Sequence, residues 1–180
     1  MSRAAPRPAR RASPAMPRAT DMVITPRGLR FRGRIFPCTV GRGGTRAAKR
    51  EGDGATPRGT HCLVGMLYRT DRLARPTDWA LPIRPFDGWS DDPRDPDYNL
   101  MVRLPHGFSA ERLRRADRLY DRVLLTDWNW PYPRRGAGSA IFLHRWRKPG
   151  HPTEGCIGLP PAALDWILPR IEHRTRLIVP

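Results

Sequence analysis

Two side chains near the end of the chain have the types and spacing to do covalent chemistry. The apolar run Ala140–Leu143 ends on His144, a loop containing Lys148-Pro149-Gly150-His151-Pro152 follows, and the next apolar segment opens with Gly155-Cys156. Two element ends therefore deliver an imidazole and a thiol to one place. A thiol is a weak nucleophile until a base takes its proton, and imidazole is the usual base. The rival reading makes His144, His151 and Cys156 three ligands of a zinc ion. Their spacing, six residues and then four, fits no common zinc pattern, and a structural site needs a fourth ligand. The residues thus call for no metal and no cofactor. His151 reads as an exposed loop histidine, and His61, His106 and His173 lack partners at meaningful spacing.

The elements that must position this pair read as mostly β. Met22–Thr25, Leu29–Arg32 and Arg34–Val40 alternate apolar and basic residues around Gly28 and Gly33, predicting a meander. Residues 41–57 have no apolar periodicity and predict a loop. Strands are predicted over Asn99–Leu104, Arg122–Asp127, Gly138–His144 and Arg176–Val179. Ser109 as a cap, Glu111 in a first turn, and Leu113, Ala116, Leu119 and Tyr120 at helical spacing predict a helix over Ala110–Leu119. A second helix is predicted from Pro160 through Ile171. Ahead of both helices, Arg69–Pro96 is proline-rich and irregular, with Trp79 and Trp89 as anchors to the core, and is a candidate lid.

With 180 residues the chain suits one domain with a real core. The net charge of +16 is concentrated at the front: residues 1–60 carry 14 basic and 3 acidic residues. Residues 1–20, with five Arg, four Pro and no acid, cannot bury a core and read as a disordered tail, which leaves 21–180 as the folded domain. Such basicity attracts polyanions, yet no interleaved aromatics or nucleic-acid motif accompanies it, so nucleic acid is not the expected partner. No apolar run reaches the ~20 residues of a membrane span, and the first twenty residues lack the apolar core of a secretory signal. Cys38 and Cys62 are read as small buried hydrophobes, with a disulfide between them as the alternative.

Thr153-Glu154-Gly155-Cys156-Ile157, with His144 upstream, resembles the active-site motif of the YkuD-type L,D-transpeptidases. That family's pattern is a histidine, a spacer, then Ser/Thr-His-Gly-Cys, an apolar residue and Asn or Arg. Here Glu154 replaces the second histidine, Gly158 stands at the Asn/Arg position, and the eleven-residue spacer is short. The block Lys49–Pro57, KREGDGATP, is shared with a short proteobacterial branch that the chain resembles over roughly residues 22–180.

The resemblance implies a single YkuD-like β-sandwich or barrel with a few short helices. It implies Cys156 as nucleophile, His144 as general base and acid, and the Gly155 and Cys156 N–H groups as oxyanion donors. The imidazolium is expected to stabilise the thiolate. Thr153, Glu154, Trp128, Asn129, Lys49 and Arg50 are the implied substrate-binding residues, with Thr60–Tyr68 as a groove wall. For Glu154, the choices are orienting His144, binding an acceptor ammonium, or exposure without consequence. The implied partners are peptidoglycan stem peptides, a tetrapeptide donor and an amine acceptor, met in the periplasm by a monomer. The product is a 3-3 or a 1-3 cross-link; a carboxypeptidase on the same stems and a non-catalytic wall-binding module are the alternatives.

Overall fold

The computed structural model describes residues 16–180, so residues 1–15 of the expected tail lie outside the described residues. The strands in chain order are β1 (Met22–Thr25), β2 (Gly28–Phe31), β3 (Arg34–Phe36), β4 (Thr45–Arg46), β5 (Thr56–Pro57), β6 (Gly59–Tyr68) and β7 (Ala80–Pro82). They continue as β8 (Asp87–Ser90), β9 (Met101–Arg103), β10 (Ala110–Arg112), β11 (Arg122–Thr126), β12 (Phe142–Arg145), β13 (Ile157–Leu159) and β14 (Arg176–Val179). One short α-helix, α1 (Pro161–Ile167), runs into a 3-10 turn at Leu168–Arg170.

Nine strands form one sheet in the order β13-β12-β11-β6-β14-β1-β2-β3, with β7 added alongside β6. The hairpin from β2 to β3 turns on Arg32 and Gly33, both at positive φ (45° and 76°), the two-residue geometry whose twist suits flanking strands. Beyond β3 the chain swings back to the opposite edge. Thr39 and Gly158 exchange both backbone hydrogen bonds at 2.9 Å, and Gly41 bridges to Thr153. The sheet thereby becomes a nearly closed barrel.

The period of two divides the apolar residues between two cores. Leu124, Leu143 and Ile157 face one that also holds Met22, Leu29 and Phe31, and α1 covers it with Ala163, Leu164 and Ile167. Pro161 opens α1 at a position where its missing N–H is no loss. The helix stops well short of Ile171 because Pro169 cannot continue its hydrogen bonding, so the last turn tightens to 3-10.

On the other face of the sheet, Val123, Phe142 and Cys156 pack with Leu67, Trp89, Leu113 and Tyr120. That core is covered by a separate three-stranded sheet, β10-β8-β9. The helix predicted over Ala110–Leu119 does not exist. Ala110, Glu111 and Arg112 pair with Ser90, Trp89 and Gly88, and the chain then bends through residues 113–121. Its apolar residues met helical spacing, but only Leu113 and Tyr120 of the set are buried, while Ala116 is exposed. Strand pairing that buries Leu113 outweighs the weak local preference. The proline-rich stretch expected to be irregular supplies β7 and β8. Trp89 anchors it as expected, donating its Nε1–H to Asn99 Oδ1 at 2.9 Å and meeting the Phe142 ring edge-on at 5.0 Å.

Candidate active site

Strands β12 and β13 run parallel with Leu143 opposite Ile157 and His144 opposite Gly158. Cys156 therefore stands beside Phe142, and the two-residue period places His144 on the same sheet face. Both side chains line one cavity of about 410 Å³. The His144 Nδ1 lies 2.7 Å from the Arg145 carbonyl, so Nδ1 carries the proton and Nε2 keeps its lone pair. Sequence reasoning expected an imidazolium–thiolate pair; the resting arrangement is neutral. The Cys156 thiol donates to the Ala140 carbonyl at 3.0 Å, and its sulfur accepts the Phe142 N–H at 3.4 Å. Burial pushes the thiol up to about 12, with the Glu111 carboxylate adding to it and the Phe142 N–H and Lys49 ammonium opposing. Burial likewise pushes His144 down to about 4. Desolvation of both groups outweighs their surroundings, so the proton stays on sulfur.

The loop carrying the cysteine is tied down at several points. Gly155 has φ +142°, and a Cβ there would sit 3.0 Å from the Ala55 carbonyl, so only glycine fits. Thr56, fully buried, donates to the Gly155 carbonyl at 2.8 Å and accepts the Gly41 N–H at 2.9 Å. Thr153 donates to the Cys156 carbonyl at 2.5 Å and accepts the Gly155 N–H at 3.2 Å. Thr153 thus holds the loop's shape and occupies one of the two expected oxyanion donors. On the other side Ala140 adopts φ +51°, and Asn99 Oδ1 takes its N–H at 3.0 Å. Asn99 also donates to the Trp128 and Asn129 carbonyls, at 3.2 and 2.8 Å.

The sequence matches the family model of YkuD, the L,D-transpeptidase catalytic domain, over residues 20–179. The chain belongs to that family. Among solved structures it is similar to an L,D-transpeptidase from Mycobacterium smegmatis, with 16% identity and a TM-score of 0.42. The match covers 88% of this chain and 57% of the other, so the present chain spans little more than half of that protein. No curated protein matches.

Several residues implied by the YkuD resemblance sit elsewhere than expected. Lys49 is buried, its ammonium bound to Asp53 Oδ1 and the Arg50 carbonyl, both at 2.6 Å, which satisfies it internally instead of leaving it for a substrate carboxylate. Arg50 is exposed and outside the cavity. Trp128 and Asn129 line a separate concavity with Lys49. There they build a corner: Trp128 Nε1–H donates to the Ala137 carbonyl at 3.1 Å, and Asn129 holds Arg134 and Gly138. Strand β6, expected as a groove wall, is central in the sheet and contributes no residue to the cavity. Glu154 does line the cavity, but its carboxylate pairs with Arg42 at 2.7 Å in an exposed bridge. It does not orient His144, whose Nδ1 is held by backbone.

The YkuD domain's cavity has other walls that sequence reasoning missed. Glu51, Asp91, Glu111, Arg115 and Tyr120 line it, Glu111 on β10 of the three-stranded sheet and Asp91 just beyond the end of β8. Thr56 and Glu51 lie within the block Lys49–Pro57, and it is these residues, not Lys49 and Arg50, that reach the cysteine loop and the cavity. Nothing in the spacing of Glu111 and Tyr120 marked them. His61 and His106 do have partners: the Pro57 carbonyl at 3.1 Å and Asp95 Oδ2 at 2.6 Å. Cys38, Cys62 and Cys156 are all free; Cys38 packs against the larger core, and burial raises it to about 11. Among the described residues no three His, Cys, Asp or Glu side chains are grouped as metal ligands, and no helix is long and apolar enough to cross a membrane.

Proposed function

We propose that the chain is a cysteine acyltransferase that cross-links peptidoglycan outside the cytoplasm. The observation that carries this reading is the placement of Cys156 and His144 on one face of adjacent strands, at the wall of one cavity, with His144 Nδ1 held against the Arg145 carbonyl. Cys156 attacks the carbonyl of meso-diaminopimelate at position three of a tetrapeptide stem. Because the resting pair is neutral, the thiol must swing from the Ala140 carbonyl toward His144 and lose its proton as the C–S bond forms. The Cys156 N–H, which no described group engages, faces the task of oxyanion donor. His144 then gives the proton to the departing D-alanine nitrogen, leaving a thioester. An amine of a second stem attacks that thioester, His144 takes its proton and returns it to sulfur, and the cross-link is released. The cavity carries carboxylates (Glu51, Asp91, Glu111) and guanidinium groups (Arg115, Arg147), which suits a stem bearing both ammonium and carboxylate groups.

Mass spectrometry of disaccharide-tetrapeptide muropeptides after incubation with the protein, and with Cys156→Ala, tests this. Loss of D-alanine with a new dimer, absent from Cys156→Ala, is the expected outcome, and fragmentation distinguishes a 3-3 from a 1-3 bond. Tripeptide without dimer would make the protein a carboxypeptidase. No cysteine-dependent product would leave a wall-binding module.

A further inference from the structure

His144 is fixed by a single hydrogen bond, from Nδ1 to the Arg145 carbonyl. One such bond sets the direction of Nδ1 and leaves the ring free to tilt about it. Tyr120 removes that freedom: its ring meets the imidazole edge to face, with centroids 5.0 Å apart and planes at 74°. Tyr120 is in turn held at both ends. Its ring packs against Phe142 at 6.4 Å, and its hydroxyl donates to Glu111 Oε1 at 2.8 Å. The Arg115 guanidinium lies 5.3 Å over the same ring and 3.8 Å from Glu111.

We propose that Glu111 and Tyr120 are positioning residues for His144: the carboxylate fixes the phenol, and the phenol ring fixes the imidazole with Nε2 turned toward the cavity that holds Cys156. This rests on the reading of Cys156 and His144 as the reacting pair. A buried tyrosine hydroxyl needs some partner, and a backbone carbonyl would serve. A carboxylate beside a thiol is a costly choice, since it opposes thiolate formation, and burial raises Glu111 itself. Its placement at the cavity wall, on a strand from a different sheet, ties the covering sheet to the base. The titratable and charged groups near Glu111 are Tyr120, Arg115, Asp91, Asp117 and Cys156; those near His144 are Tyr120, Arg115 and Asp117.

The test uses Tyr120→Phe, Tyr120→Leu, Glu111→Gln and Glu111→Ala, each checked for folding by its thermal transition. For D-alanine release, Tyr120→Leu should lower kcat about tenfold or more with KM within about twofold, and Tyr120→Phe about threefold. Glu111→Gln, which still accepts the phenol, should retain more kcat than Glu111→Ala. Glu111→Ala should match Tyr120→Phe and add nothing in that background, because its effect passes through the hydroxyl. Nitrogen-15 shifts of the His144 ring give a readout that needs no substrate: a single Nδ1–H tautomer in wild type, and a mixture in Tyr120→Leu. A folded Tyr120→Leu with wild-type kcat and an unchanged tautomer overturns the proposal, as does additivity of Glu111→Ala with Tyr120→Phe. Should Cys156→Ala itself retain turnover, the reacting pair has been misassigned, a failure separable from that of the positioning pair.

Discussion

A buried neutral histidine leaves a signature in the pH dependence of stability. His144 sits at about 4 in the fold because it is desolvated, against about 6.5 in an unfolded chain. Between those values the unfolded chain takes up a proton that the folded one refuses, so stability is lost as pH falls from about 6.5 to about 4. The whole shift corresponds to about 3 kcal/mol. His61, also lowered by burial, acts with the same sign, whereas raised Glu111 acts with the opposite one. The informative quantity is therefore a difference. Denaturant unfolding at pH 7 and pH 4.5 should show a smaller loss for His144→Gln than for wild type; equal losses would mean that His144 is hydrated in solution. The neutral state also bears on reactivity, since a thiol held near 12 should react slowly with alkylating agents until substrate turns it toward the base.

The loop between β12 and β13 owes its shape to β4, β5 and the segment joining them, and Thr56 is the central tie. Its hydroxyl serves the Gly155 carbonyl and the Gly41 N–H at once, so Thr56→Val leaves two buried backbone groups unpaired. That should cost about 2 to 4 kcal/mol, most of it recovered in Thr56→Ser. Activity should fall further than stability alone requires, because Gly155 then loses the tie on its carbonyl and keeps only the Thr153 contact on its N–H. Urea midpoints together with D-alanine release for the two variants check both parts. Apolar runs with β-branched or aromatic residues made several strands legible in the sequence: Met22–Thr25 and Arg176–Val179 fall as predicted, and β12, which carries His144, falls at the end of the expected strand Gly138–His144. Ala110–Arg112 was not legible. Glu111 and Leu113 alternate as a strand requires, but Leu113, Leu119 and Tyr120 also satisfy a helical period, and only pairing with β8 decides between them. Asn99 escaped notice for a related reason, since its four hydrogen bonds join three segments that are remote in sequence.

At the scale of the molecule, the same closure that completes the barrel also sets the floor beneath the site. Thr39 docks on Gly158, two residues beyond Cys156, and a Cβ on Gly158 would lie 2.6 Å from Thr39 Oγ1 and 3.1 Å from the Trp146 Cβ. The glycine at a position where the family favours Asn or Arg thus has a local cause: at this seam the Thr39 side chain from the far edge of the sheet, together with Trp146, takes up the space of a side chain. Thr39 Oγ1 is itself buried without a partner, so it contributes bulk and no hydrogen bond. Gly158→Ala should then destabilise by about 1 to 3 kcal/mol, as overpacking of a filled site does. Thr39→Ala should be nearly neutral, losing a hydroxyl that was already unsatisfied. In the double variant the removed Oγ1 vacates the space that the new methyl needs, and most of the loss should return. Chemical denaturation of the four proteins measures the coupling, and D-alanine release by the same set shows whether it reaches the cysteine. A seam that only closes the barrel gives recovery of stability and activity together; recovery of stability without activity would show that the Gly158 backbone also holds Cys156 in register with His144.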